Sequence, residues 1–307
     1  MPVFCWGAAK GGRVRRNTGD HVLAAIPLAW LAVLFLVPLG FTLVYSFGTS
    51  GFGSVTLGFS LDNYAQALGP LYLETFLRTL AFAVGSSAAC LVFAYPIAYA
   101  IARRSGRFKI VAFALILVPY LASLLIRVMS WQILLAQGGP LERMLRSIGL
   151  LHSPLTILDS IPAVVIGTIA VYLPIAVIAL AVVLDRIPPE VIEAGHDLGA
   201  SPSATFFTVI LPLSRPGIAT AALLTAVPML GELVIPVLLG GNKGLFLAQA
   251  ISAQYVQSQN YALGSAMVVL LVIAIAVIVA LLVRLTRGFD ATGGEPGRPE
   301  RAKRVEG

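Results

Sequence analysis

The chain has 307 residues, 58% of them hydrophobic and 11% charged, with a mean hydropathy of +0.91. Soluble domains are about 45–50% apolar and about 25% charged, so this composition excludes an ordinary soluble enzyme. Twenty-one Lys and Arg against fourteen Asp and Glu leave a net charge of +7. That charge would suggest a nucleic-acid partner in a soluble chain, but none is expected here, because the basic residues gather at the ends of apolar runs. A membrane-spanning helix needs roughly 20 apolar residues, and several separate runs of that length predict an all-α, polytopic membrane protein.

In chain order, Lys10, Arg13, Arg15 and Arg16 precede a first apolar run from Val22 to Phe47. The arrangement imitates a secretory signal peptide, but the run is longer than a signal core and no clean cleavage site follows it. It is read as an uncleaved first span. Five more follow: Thr75 to Ala102, Phe108 to Ala136, Ile161 to Leu184, Val209 to Leu239 and Ala262 to Leu285. Six spans put both termini on one side. Arg13, Arg15 and Arg16, then Arg103, Arg104, Arg107 and Lys109, then Arg284 and Arg287 flank the same side, which the positive-inside rule makes cytoplasmic. The opposite loops, roughly 48–74, 137–160 and 240–261, carry few basic residues, and the first holds Asp62 and Glu74 without Lys or Arg. The expected organisation is a cytoplasmic segment 1–21, a transmembrane domain 22–286 and a disordered, solvated cytoplasmic tail 287–307 rich in Gly, Pro and mixed charge. The expected location is a bacterial inner membrane.

Cys5 and Cys90 cannot build a disulfide framework, and His21, His152 and His196 lack ligand spacing, so no metal site is expected.

One cytoplasmic segment breaks the charge pattern. From Ile187 to Gly217 it is acidic where basic residues are expected, with Asp185, Glu190, Glu193 and Asp197 against Arg186 and Arg215. Pro188 and Pro189 suit a first helical turn, and Glu190 suits its positive end. Gly199 is placed to end that helix, and Ser201 with Pro202 to cap and open the next. At about 100° per residue, Glu190, Glu193 and Asp197 fall within about 60° of one another, opposite Val191, Ile192, Gly195 and Leu198. Such a helix either lies at the membrane interface with its acids solvated or presents them to a partner.

The spacing Glu193-Ala194-Gly195, three residues, Gly199, nine residues, Val209-Ile210-Leu211-Pro212 resembles the EAA motif of ABC-importer permeases. It departs at Gly195, for the motif's second Ala, and at Val209, for Ile. The stretches Tyr95 to Arg104, Leu124 to Leu135, Leu198 to Ile218 and Pro236 to Gly241 resemble the spermidine/putrescine type of these permeases. The resemblance implies a type I permease fold of six helices, with a coupling-helix loop at about 186–208 that docks on a separate ATPase dimer. It implies that Glu193 pairs with a basic group of that ATPase, and that Glu190, Ala194, Gly195, Asp197, Gly199, Leu211 and Pro212 belong to the coupling surface. It further implies a second, related permease, an extracytoplasmic solute-binding protein and a polyamine solute. Relatives that carry Fe(III), opines or amino-acid-like solutes share much of the pattern.

Arg127 in the third expected span and Glu232 in the fifth are ionisable residues deep in apolar runs. A charge at a helix centre costs on the order of 2.5–3.5 kcal/mol unless it faces protein or water. Both sit toward the outer half of their spans. They could pair and fix helix register, or line the translocation path with Trp131, Glu232 offering its charge to a cationic solute. Pro212, Pro216, Pro228 and Pro236 suggest kinks in the fifth span.

No G-x-x-x-x-G-K-[ST] occurs, so ATP and Mg are expected on a partner subunit and no cofactor on this chain. Nor is there a nucleophile elbow, HExxH or paired acid and base, so the chain is not expected to be an enzyme. An ion-coupled secondary transporter using Arg127 and Glu232 is the alternative, but it leaves the acidic loop unexplained.

Overall fold

The computed structural model describes residues 18–51, 54–241 and 246–290. Helix α1 (Thr18–Ser46) leads into an antiparallel hairpin, β1 (Thr49–Gly51) and β2 (Ser54–Thr56), in which Thr49 faces Thr56. The short α2 (Asp62–Ala67) follows, then α3 (Pro70–Ala102), which opens on Pro70 in its first turn. Next come α4 (Arg107–Tyr120), α5 (Leu124–Leu135) and the amphipathic α6 (Pro140–Ser147). Helix α7 (Ile161–Leu184) matches the expected fourth span at both ends: Ser160 Oγ accepts from the Ala163 N–H, and Asp185 and Arg186 follow its last turn.

The cytoplasmic segment folds as α8 (Pro189–Asp197), then α9 (Pro202–Thr205), which runs through a π turn at Phe206–Ile210 into α10 (Leu211–Leu213). Helices α11 (Arg215–Leu230), α12 (Val234–Leu239), α13 (Leu247–Val256) and α14 (Tyr261–Asp290) complete the described residues.

Among the described residues four helices are long and apolar enough to cross a membrane unbroken, and the number reaches six if each of two bent pairs makes one crossing. The third expected span, drawn as one run from Phe108 to Ala136, bends by 89° between Tyr120 and Leu124. Pro119 lies one residue before that bend, and a proline with its ring against the preceding turn cannot continue a straight hydrogen-bonded ladder. The fifth expected span, Val209 to Leu239, divides into three: a 64° bend near Ser214, then α11, then a break at Gly231–Leu233 before α12. Residues 287–290 of the expected disordered tail continue α14, and α1 begins ahead of Val22. The rest of the tail, 291–307, and residues 1–17 of the expected N-terminal segment lie outside the described residues.

The centre of the fold is a seam of small residues. Along α3, Ala83, Ser87, Cys90, Ala94 and Ala98 recur every three or four positions and are buried against α7, where Thr168, Ala176 and Ala181 answer them. In hydrocarbon there is no hydrophobic force between helices, so close backbone approach and interhelical hydrogen bonds hold them. Ser87 Oγ and Thr225 Oγ1, 2.6 Å apart, bond α3 to α11. A Cβ on Gly217 would come within 2.7 Å of Val183, so this glycine permits the contact of α11 with α7. Helix α1, by contrast, exposes Trp30, Leu34, Phe35 and Phe41 and packs along α14, as suits a helix surrounded by lipid.

Candidate coupling surface and intramembrane charge sites

The acidic helix forms where the sequence placed it. Gly199 has φ +80°, the left-handed conformation that glycine adopts without penalty. The Ala200 N–H reaches back to the Gly195 carbonyl at 3.1 Å and the Leu198 N–H to the Ala194 carbonyl at 3.2 Å, closing the end of α8. Ser201 Oγ then accepts from the Ala204 N–H at 3.2 Å, with Pro202 in the first turn, and α9 begins. Glu190, Glu193 and Asp197 share one exposed face, and among the described residues no hydrogen bond or ion pair engages them.

The apolar side of α8 is narrower than expected. Ile192 packs on the main core beside the buried Ile187, but Leu198, placed in the same stripe, is 89% exposed, because the chain turns at Gly199 before Leu198 can reach the core. Gly195 now has a reason. A Cβ there would sit 3.3 Å from Thr205 Cγ2, so α8 lies tighter on α9 than the motif's usual alanine allows without adjustment. Leu211 lines an apolar groove with Phe206, Phe207 and Tyr95, and Pro212 lies two residues before the bend at Ser214. Tyr95 OH and Ser214 Oγ are 2.8 Å apart, and Ser214 Oγ donates to the Leu211 carbonyl at 3.0 Å, which fastens the bend to α3.

The two intramembrane charges do not pair. Arg127 donates to the Val171 carbonyl of α7 at 3.0 Å, and its guanidinium lies 4.9 Å from the centre of the Tyr120 ring. Glu232 is 7% exposed and its carboxylate has three donors: Tyr172 OH at 2.7 Å on Oε2, and the Val234 and Ile235 N–H groups at 2.9 and 3.3 Å on Oε1. Among the described residues no ion pair joins Arg127 to Glu232, which corrects the expectation that they might be partners. Each charge instead finds partners close by: for Arg127 a carbonyl and a ring, its buried Nε having no hydrogen-bond partner among the described residues, and for Glu232 a phenol and the open end of α12. They engage adjacent residues of α7, Val171 and Tyr172. Trp131, one turn beyond Arg127, is half-buried against the cluster of Val128, Leu135, Val164 and Ile235.

Sequence reasoning missed Tyr172, although a phenol inside a strongly apolar run must find a partner and is a readable signal. It also missed Glu142 on α6, in the expected loop 137–160. This carboxylate is buried and accepts from the Gly138 N–H at 2.8 Å and the Leu155 N–H at 3.2 Å, with Arg146 at 2.7 Å. The Gly138 N–H above all, then Leu155 and Arg146, hold its carboxyl below the usual carboxylate range. At the opposite end of the helices, Lys109 pairs with Asp185 and joins the start of α4 to the end of α7.

This geometry has clear relatives. The spermidine/putrescine transport system permease protein PotB of Salmonella typhimurium strain SL1344 is 31% identical over 275 residues, spanning 89% of this chain and 96% of that protein. PotB of Escherichia coli K12 is 32% identical over 261 residues, 85% of this chain and 95% of that one. Among solved structures, a bacterial alginate ABC transporter in complex with its alginate pentasaccharide-bound periplasmic protein contains a chain of the same fold. It matches with a TM-score of 0.67 at 18% identity, covering 92% of this chain and 98% of that one. With residues 91–291 matching the family model, the chain belongs to the binding-protein-dependent transport system inner membrane components.

Proposed function

We propose that the chain is the membrane-spanning permease subunit of an ATP-driven importer for a small polyamine of the spermidine or putrescine class. The observation that carries the reading is α8, whose three carboxylates face outward with no partner among the described residues. An exposed acidic face on a short, glycine-terminated helix suits a basic cleft on another subunit, and the chain has no P-loop of its own. On this reading residues 22–286 form the transport domain, both termini face the cytoplasm, and a separate ATPase dimer binds ATP and Mg. A related second permease completes the path, and a solute-binding protein delivers solute from outside. The chain itself is not catalytic. Closure of the ATPases moves α8, with Glu193 as its charged contact, and the helices that follow reorient the spans.

The polyamine assignment draws on the PotB relatives and on Glu232. A carboxylate offers about four acceptor positions, and three of those on Glu232 are taken, so one remains for an ammonium group without disturbing Tyr172. Trp131 and Arg127 would border the same path. The test is co-expression with the candidate ATPase, second permease and binding protein, followed by reconstitution and uptake of labelled spermidine, putrescine, Fe(III) chelates and opines. The expected result is a stable complex, polyamine uptake that requires ATP, and loss of uptake in Glu193→Lys with the chain still membrane-inserted. Absence of a complex, or intact coupled uptake in Glu193→Lys, would overturn the coupling role. Uptake of another solute would reassign the cargo alone. If Glu232→Gln transports normally while Glu232→Leu is unstable, Glu232 is structural and leaves the path.

A further inference from the structure

Two cavities near the α8 end of the fold share one wall residue, Tyr99. One, of about 610 Å³, lies between the α3–α4 turn and α8, with Arg103, Arg104 and Lys109 facing Asp185 and Glu193. The other, of about 590 Å³, is an apolar groove walled by Val92, Pro96, Phe207 and Ile218. Tyr99 lines both, so the groove and the charged cleft lie side by side at this ring.

Arg103 stands at the junction. Its guanidinium lies 5.3 Å from the centre of the Tyr99 ring, and one terminal nitrogen donates to the Ile187 carbonyl at 3.3 Å. The Nε and the other terminal nitrogen are buried and have no hydrogen-bond partner among the described residues. Buried charged donors left unpaired are costly, so this arrangement calls for an acceptor. The acids across the cleft do not provide it: Asp185 is held by Lys109, and Glu193 forms no ion pair with Arg103. Arg104, stacked 5.2 Å from the Phe108 ring centre, adds a second cation at the mouth.

The groove gives the acceptor an attached chain. Val92, Tyr95 or Pro96, Tyr99 and Arg103 recur every three or four residues and so share one face of α3. At 1.5 Å per residue, Val92 to Arg103 spans about 16 Å, close to the roughly 15 Å hydrocarbon depth of one leaflet. Basic pockets between helices at the membrane surface bind acidic lipid headgroups. We propose that the two cavities form one binding site for an anionic phospholipid, its phosphate held by Arg103 and Arg104 and one acyl chain laid along α3 in the groove. A free phosphate would use the cleft alone.

The test is native mass spectrometry of the assembled complex, purified in mild detergent from bacterial membranes. Detergent retention does not depend on transport, so its failure is separate from failure of the importer reading. The expected result is retained phosphatidylglycerol in excess of phosphatidylethanolamine, reduced about fivefold in Arg103→Gln, from about 1 kcal/mol per basic residue near the headgroups. Arg103→Lys should retain the lipid. Val92→Trp, which fills the groove at an exposed position, should lose it while leaving the cleft unchanged. Where a variant folds poorly, the wild-type complex decides: added phosphatidylglycerol should raise its thermal midpoint and phosphatidylcholine should not. Equal retention of both headgroups, or unchanged retention in Arg103→Gln, would overturn the proposal. So would displacement by inorganic phosphate with no effect of Val92→Trp, which marks a free-anion site. Lipid held by the isolated chain but excluded from the complex would show that the second permease covers the groove, and would overturn it too.

Discussion

Glu193 and Glu232 both sit beside a short helix and a glycine, yet they are built in opposite ways. On α8 the carboxylate faces outward, unengaged, and the glycine at 199 closes the helix in a left-handed turn. At the break between α11 and α12 the carboxylate is buried, takes three donors and replaces the hydrogen bonds that the interrupted helix has lost. The contrast teaches that a charged residue in a membrane protein is understood from its remaining acceptor capacity. A carboxylate whose acceptor positions are mostly taken holds its own fold together and has one left to offer, whereas one with all of them open is available to a whole partner surface.

The comparison can be broken most sharply at Glu232. Glu232→Ala leaves the Tyr172 hydroxyl and two backbone N–H groups without their acceptor, and should cost about 3 kcal/mol or more at roughly 1–3 kcal/mol per unsatisfied buried group. Denaturation of the detergent-solubilised protein reads this directly. Gly199→Ala comes next. Forcing a Cβ into φ +80° should cost about 1–2 kcal/mol, confined to the α8–α9 turn and visible as faster amide exchange there. Glu142 provides a smaller, pH-dependent effect. Its carboxyl is held below the ordinary range in the folded chain, so its stabilisation is fully present above the ordinary carboxylate pKa and lost as pH falls through the depressed value. Protection of the Leu155 amide, corrected for intrinsic exchange, should fall only in acid, and Glu142→Gln should remove that dependence. Glu193→Ala stands at the far end, with a stability change within about 0.5 kcal/mol. A large loss there would mean that α8 is internally braced.

The spans, the acidic helix and its caps were legible because each rests on local chemistry: apolar length, a proline opening, a glycine closing, a serine cap. Ile161–Leu184 is the clearest case, bounded by Ser160 on one side and Asp185 on the other. The prolines of the fifth span pointed to kinks there, and it does bend, but the bend of the third span was not legible. Hydropathy is a sum along the chain and carries no direction, so Phe108 to Ala136 reads as one rod even though it turns by 89°. The pairing of Arg127 with Glu232 was inferred from scarcity, two charges in one apolar medium. The structure instead used groups that hydropathy does not count: a carbonyl at Val171, a phenol at Tyr172 and the N–H groups of α12. Leu198 was assigned to the apolar stripe by angle alone, but the angle holds only while the helix continues, and α8 ends one residue earlier at Asp197.

The bend at Ser214 has a mechanical consequence. Pro202–Leu213 is a stiff arm of twelve residues, about 18 Å long at 1.5 Å per residue. Its inner end is pinned by the Tyr95–Ser214 bond and flanked by Pro212 and Pro216, and its outer end carries α8 through the Gly199 turn. Rotation by about 10° about the pin sweeps the outer end through about 3 Å, by the arm length above. On the proposed importer reading, a joint so placed would turn a small displacement at the surface into a twist of α11, with no need for any helix to lengthen or melt.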